Sequence, residues 1–220
     1  MPDFRRSWSL SPWMGVALLF HPLWIPLYLG LVAWTSGLPA LERYPVRFRM
    51  WYMLALTLTV VLMPLAGIAW MKRQGMVSSW EVPRADQRKG PYVLQLFCLA
   101  LMYVLCYKLD LSPWLTRPLW LTAALVLWAL AWLRHTKISA HAMGMGALSS
   151  TLIMCYSQGA SWSAWPLLPS VWPSVGILLS GLVLTARYQQ MAHTLGELIH
   201  GWLAGLLVFG WGMYDLTAYS

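Results

Sequence analysis

Long apolar runs, almost free of charge, leave this chain few folds to adopt. A run of about 20 apolar residues is what a helix needs to cross a bilayer, and such runs follow one another along most of the 220 residues. They are continuous, unlike the alternating segments of about 10 residues in an outer-membrane barrel. Charged residues make up 10% of the chain, against about 25% in soluble domains. The 16 Trp residues suit a protein with two membrane interfaces, where Trp collects. The expected fold is all-α: a polytopic transmembrane helix bundle in a single integral membrane domain, residues 1–220.

Seven apolar segments can be drawn: 12–34, 50–71, 91–107, 119–133, 142–156, 174–186 and 194–214. The fifth and sixth are short, so six or seven spans are expected. The first contains His21, Pro22 and Pro26 and should be a broken helix. No small-residue cleavage site follows it, so it is expected to be retained. Residues 1–11 form a polar start with Arg5 and Arg6, and the most charged stretch runs from Lys72 to Gly90. Cys98, Cys106 and Cys155 all lie inside apolar runs, a placement that suits neither a disulfide framework nor a zinc site. The formal charge of +8 fits anionic headgroups, phosphate or topology-setting loops. No nucleic-acid motif is present.

Parity matters more than the count. Two spans separate the charged loop 72–90 from the segment 134–141, and two more separate that segment from 187–193. An even number of crossings returns the chain to the same side, so three polar segments should meet on one membrane face. The third reads R-x5-H-x3-E, with Arg187, His193 and Glu197. If a helix starts near Thr194, His193 caps it and Glu197 lies one turn on, on the same side. Glu197 would then hold one ring nitrogen of His193 and leave the other as a nucleophile. Arg187 could grip phosphate oxygens bidentately. The second segment, Lys137-Ile-Ser-Ala-His141, leads into a helix N-terminus, where free N–H groups favour an anion. It offers Lys137, Ser139 and an ionisable His141. The first segment offers Arg84, Arg88 and Lys89. Two His, a carboxylate and several cations suit phosphoryl transfer through a phosphohistidine. Ionisable groups in such a chain are a functional hypothesis by default.

These motifs resemble the type-2 phosphatidic acid phosphatase superfamily, integral membrane relatives of the vanadium haloperoxidases. That family carries K-x6-R-P, then P-S-G-H, then S-R-x5-H-x3-D. Ala186, Arg187, His193 and Glu197 match the third signature, with Ala for Ser and Glu for Asp. Ile138, Ser139, Ala140 and His141 match the second, keeping Ser and His. Of the first only Arg88, followed by Pro91, remains, and Glu81 stands where the Lys would be. The 45 residues from 142 to 186 suit the family's spacing, and FHPLWIPLYLG and KISAHAMGMGALSS resemble a bacterial branch of it. The resemblance implies His193 as nucleophile, Glu197 as its orienting carboxylate and His141 as the acid for the leaving alcohol. Arg187 and Arg88 would bind phosphate, with Ser139 beside them and Lys137 or Arg84 adding charge. It implies no metal or other cofactor, and a site on the extracytoplasmic face of a bacterial inner membrane. The charges away from the site agree weakly: Arg5, Arg6, Lys72 and Arg73 lie on the site side against Arg43, Arg47, Arg49, Lys108 and Arg117 opposite.

The expected substrate is a lipid phosphomonoester or pyrophosphate, of polyprenyl pyrophosphate, phosphatidic acid, phosphatidylglycerophosphate or lipid A type. The same site could pass the phosphoryl group to another acceptor, or bind a lipid phosphate without turnover. A reading from another class is a haem-binding membrane protein using His21 and His200 as axial ligands. Bland readings stand beside these. His193 and Glu197 could be a structural pair, and the basic residues could be headgroup anchors. His21 could be a helix-stabilising hydrogen-bond partner. Gly201 and Gly205, and Ala142, Gly146 and Ser150, are small residues four apart and suggest close helix packing.

Overall fold

A computed structural model describes residues 12–80, 82, 84–162 and 168–214. Arg5, Arg6 and Glu81 lie outside them. The described residues form ten α-helices and no strand. Six stretches are long and apolar enough to cross a membrane: Pro12–Thr35, Val46–Arg73, Asp86–Lys108, Pro113–Trp132, Val171–Gln189 and Leu195–Tyr214. The protein is therefore a multi-pass helical membrane protein.

The first stretch is broken, as its prolines require. α1 (Pro12–Leu19) stops short of His21-Pro22, a 3-10 turn covers Pro22–Trp24, and α2 (Ile25–Thr35) resumes. His21 caps that turn, its Nδ1 accepting the Leu23 N–H at 3.4 Å. A short α3 (Pro39–Glu42), not foreseen in the sequence, follows.

The second stretch joins α4 (Val46–Leu56) to α5 (Met63–Arg73) through a wide π-type turn over Thr57–Leu62. Pro64 has no N–H to give the carbonyl four residues back, that of Val60. The Gln95 side-chain amide of the neighbouring helix donates to this carbonyl instead, at 3.4 Å. A carbonyl stranded at membrane depth needs such a partner.

α6 (Lys89–Lys108) follows a 3-10 turn at Asp86–Arg88, with Pro91 in its first turn. α7 (Pro113–Trp132) begins before the expected residue 119. Ser112 caps it and Pro113 opens it, so the apparent turn is the first part of the helix.

α8 (Ala140–Ser157) is buried at every position from His141 to Leu152. Its Ser and Gly residues keep it out of the apolar set, and it needs no lipid-facing surface because protein surrounds it. α9 (Val171–Gln189) starts a little before the expected 174, and α10 (Leu195–Tyr214) closes the bundle.

α8 packs most closely on α10 and next on α9. The small residues explain the distance. A Cβ on Gly146 would strike the Trp202 carbonyl, and one on Gly205 would strike the Met143 carbonyl and the Ala147 nitrogen. Gly201 faces the Ser139 carbonyl in the same way. The two backbones thus touch along three positions, which is how small residues hold membrane helices together. On the other flank Ser149 and Ser180 share a hydrogen bond of 2.8 Å between α8 and α9.

Gly205→Val should push α10 off α8. We expect a loss of about 1–3 kcal/mol or more, read as a lowered melting temperature in detergent. Gly181→Ala is the control, since nothing lies within 4 Å of its Cβ position, and it should melt with the wild type or above it.

Candidate active site

The close pairing of α8 and α10 brings the residues before each helix side by side. His193 precedes α10 and Lys137 precedes α8. His193 Nδ1 lies 3.0 Å from the Lys137 carbonyl oxygen and 3.3 Å from Glu197 Oε2. Both neighbours are acceptors, so Nδ1 carries the proton and donates. The distal Nε2 is then a lone pair, on a ring that forms part of a cavity wall.

Glu197 has a second task. Its Oε2 accepts the Thr194 N–H at 2.9 Å, while the Thr194 hydroxyl accepts the Glu197 N–H at 3.3 Å. This is a capping box, so Thr194 caps α10, where the sequence suggested His193. One carboxylate fixes both the start of the helix and the ring ahead of it.

The cavity measures about 160 Å³. Arg88, His141, Arg187 and His193 line its polar end, and Ile25, Ile68, Leu125 and Met143 are among its apolar walls. Arg88 is 8% exposed and Arg187 5%, so both cations are held inside the protein. Arg88 donates from Nε to the Val82 carbonyl at 3.0 Å and from Nη1 to the Ile138 carbonyl at 3.4 Å. Arg187 donates from Nη1 to Gln190 Oε1 at 2.7 Å. Val82 pays for its position with a φ of 44°. That value is strained for a β-branched residue, by on the order of 1–3 kcal/mol.

His141 stands on α8 with Nε2 3.1 Å from the Ala17 carbonyl. A carbonyl can only accept, so Nε2 is protonated and Nδ1 is the nitrogen that can gain or lose a proton. His21 packs edge-on against it, with ring centroids 5.4 Å apart and planes at 83°.

The three polar segments therefore converge as parity required. Arg88 reaches Ile138, and His193 reaches Lys137. Within them the expected contributions differ. Ser139 is fully buried and its hydroxyl caps α8, accepting the Ala142 N–H at 3.4 Å, so it forms no part of the cavity wall. Lys137 anchors His193 through its backbone. Its side chain stands outside the wall but within electrostatic reach of Arg88, Glu197 and Arg187. Arg84 is not brought in at all: it is exposed and paired bidentately with Asp86, at 3.2 and 2.9 Å. Among the described residues of the loop, Arg88 is the cation on the cavity wall, and Arg84 is engaged by a carboxylate two residues away.

Tyr92 and Gln95, which the motifs do not single out, line the cavity, as does His21, which the sequence offers only as a haem ligand or a helix-stabilising partner. Tyr92 and Gln95 follow Arg88 by about one and two helical turns, a spacing that could have flagged them. His21 and His200 have different surroundings. His21 faces His141, whereas His200 sits against Trp128 and Trp132, so His21 and His200 do not face each other. No family model, curated protein or solved structure matches the chain.

Burial, followed by the positive charges of Arg88, Lys137 and Arg187, pushes the His193 pKa down to about 4, against the opposing pull of Glu197. A depressed imidazole stays neutral from high pH down to that value and gains its charge only below it. In histidine-labelled protein, NMR should place its midpoint near 4, far under the ordinary 6.5. Lys137→Ala keeps the backbone anchor, removes one cation and should raise that midpoint. A midpoint near 6.5 in the wild type would contradict this electrostatic account.

Proposed function

We propose that the protein hydrolyses a phosphate ester of a membrane lipid through a phosphohistidine at His193. One observation carries this reading. His193 Nδ1–H is held by a carboxylate and a carbonyl, which leaves Nε2 as a neutral nucleophile on a cavity that also presents two buried arginines and a second histidine. The apolar walls below the cations support a substrate that is phosphate at one end and hydrocarbon at the other.

In the first step His193 Nε2 attacks phosphorus. The P–N bond forms as the bond from phosphorus to the lipid oxygen breaks. Burial and the charge of Arg187 favour a neutral His141 before substrate binds. The anionic phosphate favours its protonation at Nδ1, and it passes that proton to the departing oxygen while its Nε2–H remains on the Ala17 carbonyl. Arg88 and Arg187 draw charge from the phosphoryl oxygens as the transition state develops. In the second step water attacks the phosphohistidine and gives a proton to His141 Nδ1. Orthophosphate leaves and both rings return to their starting states. We assign the site to the extracytoplasmic face on the resemblance described above.

The test is phosphate release by detergent-purified protein from a panel of lipid monophosphates and pyrophosphates, with and without chelator. We expect release by the wild type, and a fall of about 10³-fold or more in His193→Ala. Glu197→Gln keeps an amide able to complete the capping box but loses the charge that orients the ring. It should melt near the wild type and turn over about 10²- to 10⁴-fold more slowly. Undiminished release by His193→Ala would end the phosphohistidine assignment.

A further inference from the structure

We propose that His21 is a substrate-positioning residue whose Nε2–H donates a hydrogen bond to the oxygen joining phosphate to lipid. The proposal rests on the reading above, that a phosphate monoester occupies the cavity at His193.

The position of His21 is the first ground. A second cavity, of about 230 Å³, lies beside the first and shares with it His21, Leu23, Ile68, Trp80 and His141. Its other walls are Ala17, Leu18, Trp24 and Leu65, so beyond the two imidazoles it is almost wholly apolar. Ala17 and Leu18 come from α1, and Leu65 and Ile68 from α5. His21 therefore stands at a boundary, with the arginines on one side and a hydrocarbon-lined space on the other. The atom of a lipid phosphate that belongs at such a boundary is the ester oxygen.

The tautomer is the second ground. His21 Nδ1 accepts the Leu23 N–H, so it holds a lone pair and the ring proton is on Nε2. The ring cannot take a second proton without breaking its own cap. His21 is thus a fixed neutral donor, and it cannot act as the acid. Its neighbour His141 has the complementary arrangement, with Nε2–H on the Ala17 carbonyl and Nδ1 open to titration. The charged group facing both rings is Arg187, from α9. The two imidazoles divide the work on one oxygen: His141 delivers the proton, and His21 holds the oxygen where that proton arrives. A donor aimed at an oxygen that gains negative charge strengthens as the bond breaks.

His21→Asn tests this. Asn is among the best N-capping residues and keeps an acceptor for Leu23, but it lacks the distal donor. His21→Ser, also a capping residue, is the second variant, and each is checked by its melting temperature. Titration calorimetry in detergent compares inorganic phosphate, which has no ester oxygen, with hexyl phosphate, which has one. We expect the affinity for hexyl phosphate relative to phosphate to fall about 10-fold in both variants, the size of one hydrogen bond to a substrate oxygen. In turnover, kcat should fall while the pH profile keeps its midpoints, because His21, with Nδ1 taken by the Leu23 N–H, transfers no proton in the reaction. If both ligands weaken equally, His21 shapes the cavity and does not read the ester, and the proposal is overturned while the site reading stands. If the wild type binds neither ligand, the site reading falls and takes this proposal with it.

Discussion

The contact between α8 and α10 is made by backbone, and the site depends on it. With Gly146, Gly201 and Gly205 at the crossing, the helices approach until carbonyls meet α-carbons. Only at that separation do the residues ahead of each helix come within hydrogen-bonding distance. His193 then finds the Lys137 carbonyl, and Glu197 serves its own helix and the ring together. Between apolar helices in lipid there is no hydrophobic driving force, so close van der Waals packing and polar contacts must hold the pair. The site inherits its precision from that packing.

Two polar devices let the rest of the bundle tolerate its prolines. At the first span His21 caps the turn that Pro22 imposes. At the second, Gln95 takes the Val60 carbonyl that Pro64 leaves behind. In both cases a side chain answers a backbone group that lipid could not satisfy. In both cases the residue that answers also lines the cavity. Breaks in the spans and walls of the site are therefore built from the same residues.

Much of this was legible in the sequence. Apolar runs located every long helix to within a few residues at most ends, and parity brought three distant segments to one face. The R-x5-H-x3-E spacing placed Glu197 on His193 because residues four apart share a helix face. Other features were hidden for physical reasons. Charge alone could not separate Arg84 from Arg88, and the difference lies in their partners: Arg84 pairs with Asp86 at the exposed surface, while Arg88 is held by the carbonyls of Val82 and Ile138. Ser139 reads equally well as a ligand or a cap, and its burial decides for the cap. His21 was visible as a hydrogen-bond partner. Its proximity to His141 depends on how α1 and α8 pack, which no local pattern records.

The anchors of the two central side chains lie largely in the main chain. Arg88 is held by the carbonyls of residues 82 and 138, and His193 by that of 137, with Glu197 as the one side-chain anchor among them. Those carbonyls persist whatever side chains stand at 82, 137 and 138. A site anchored in this way can drift in sequence around its functional groups and still keep its geometry. Alanine scanning across those three positions would pass over much of what holds it in place.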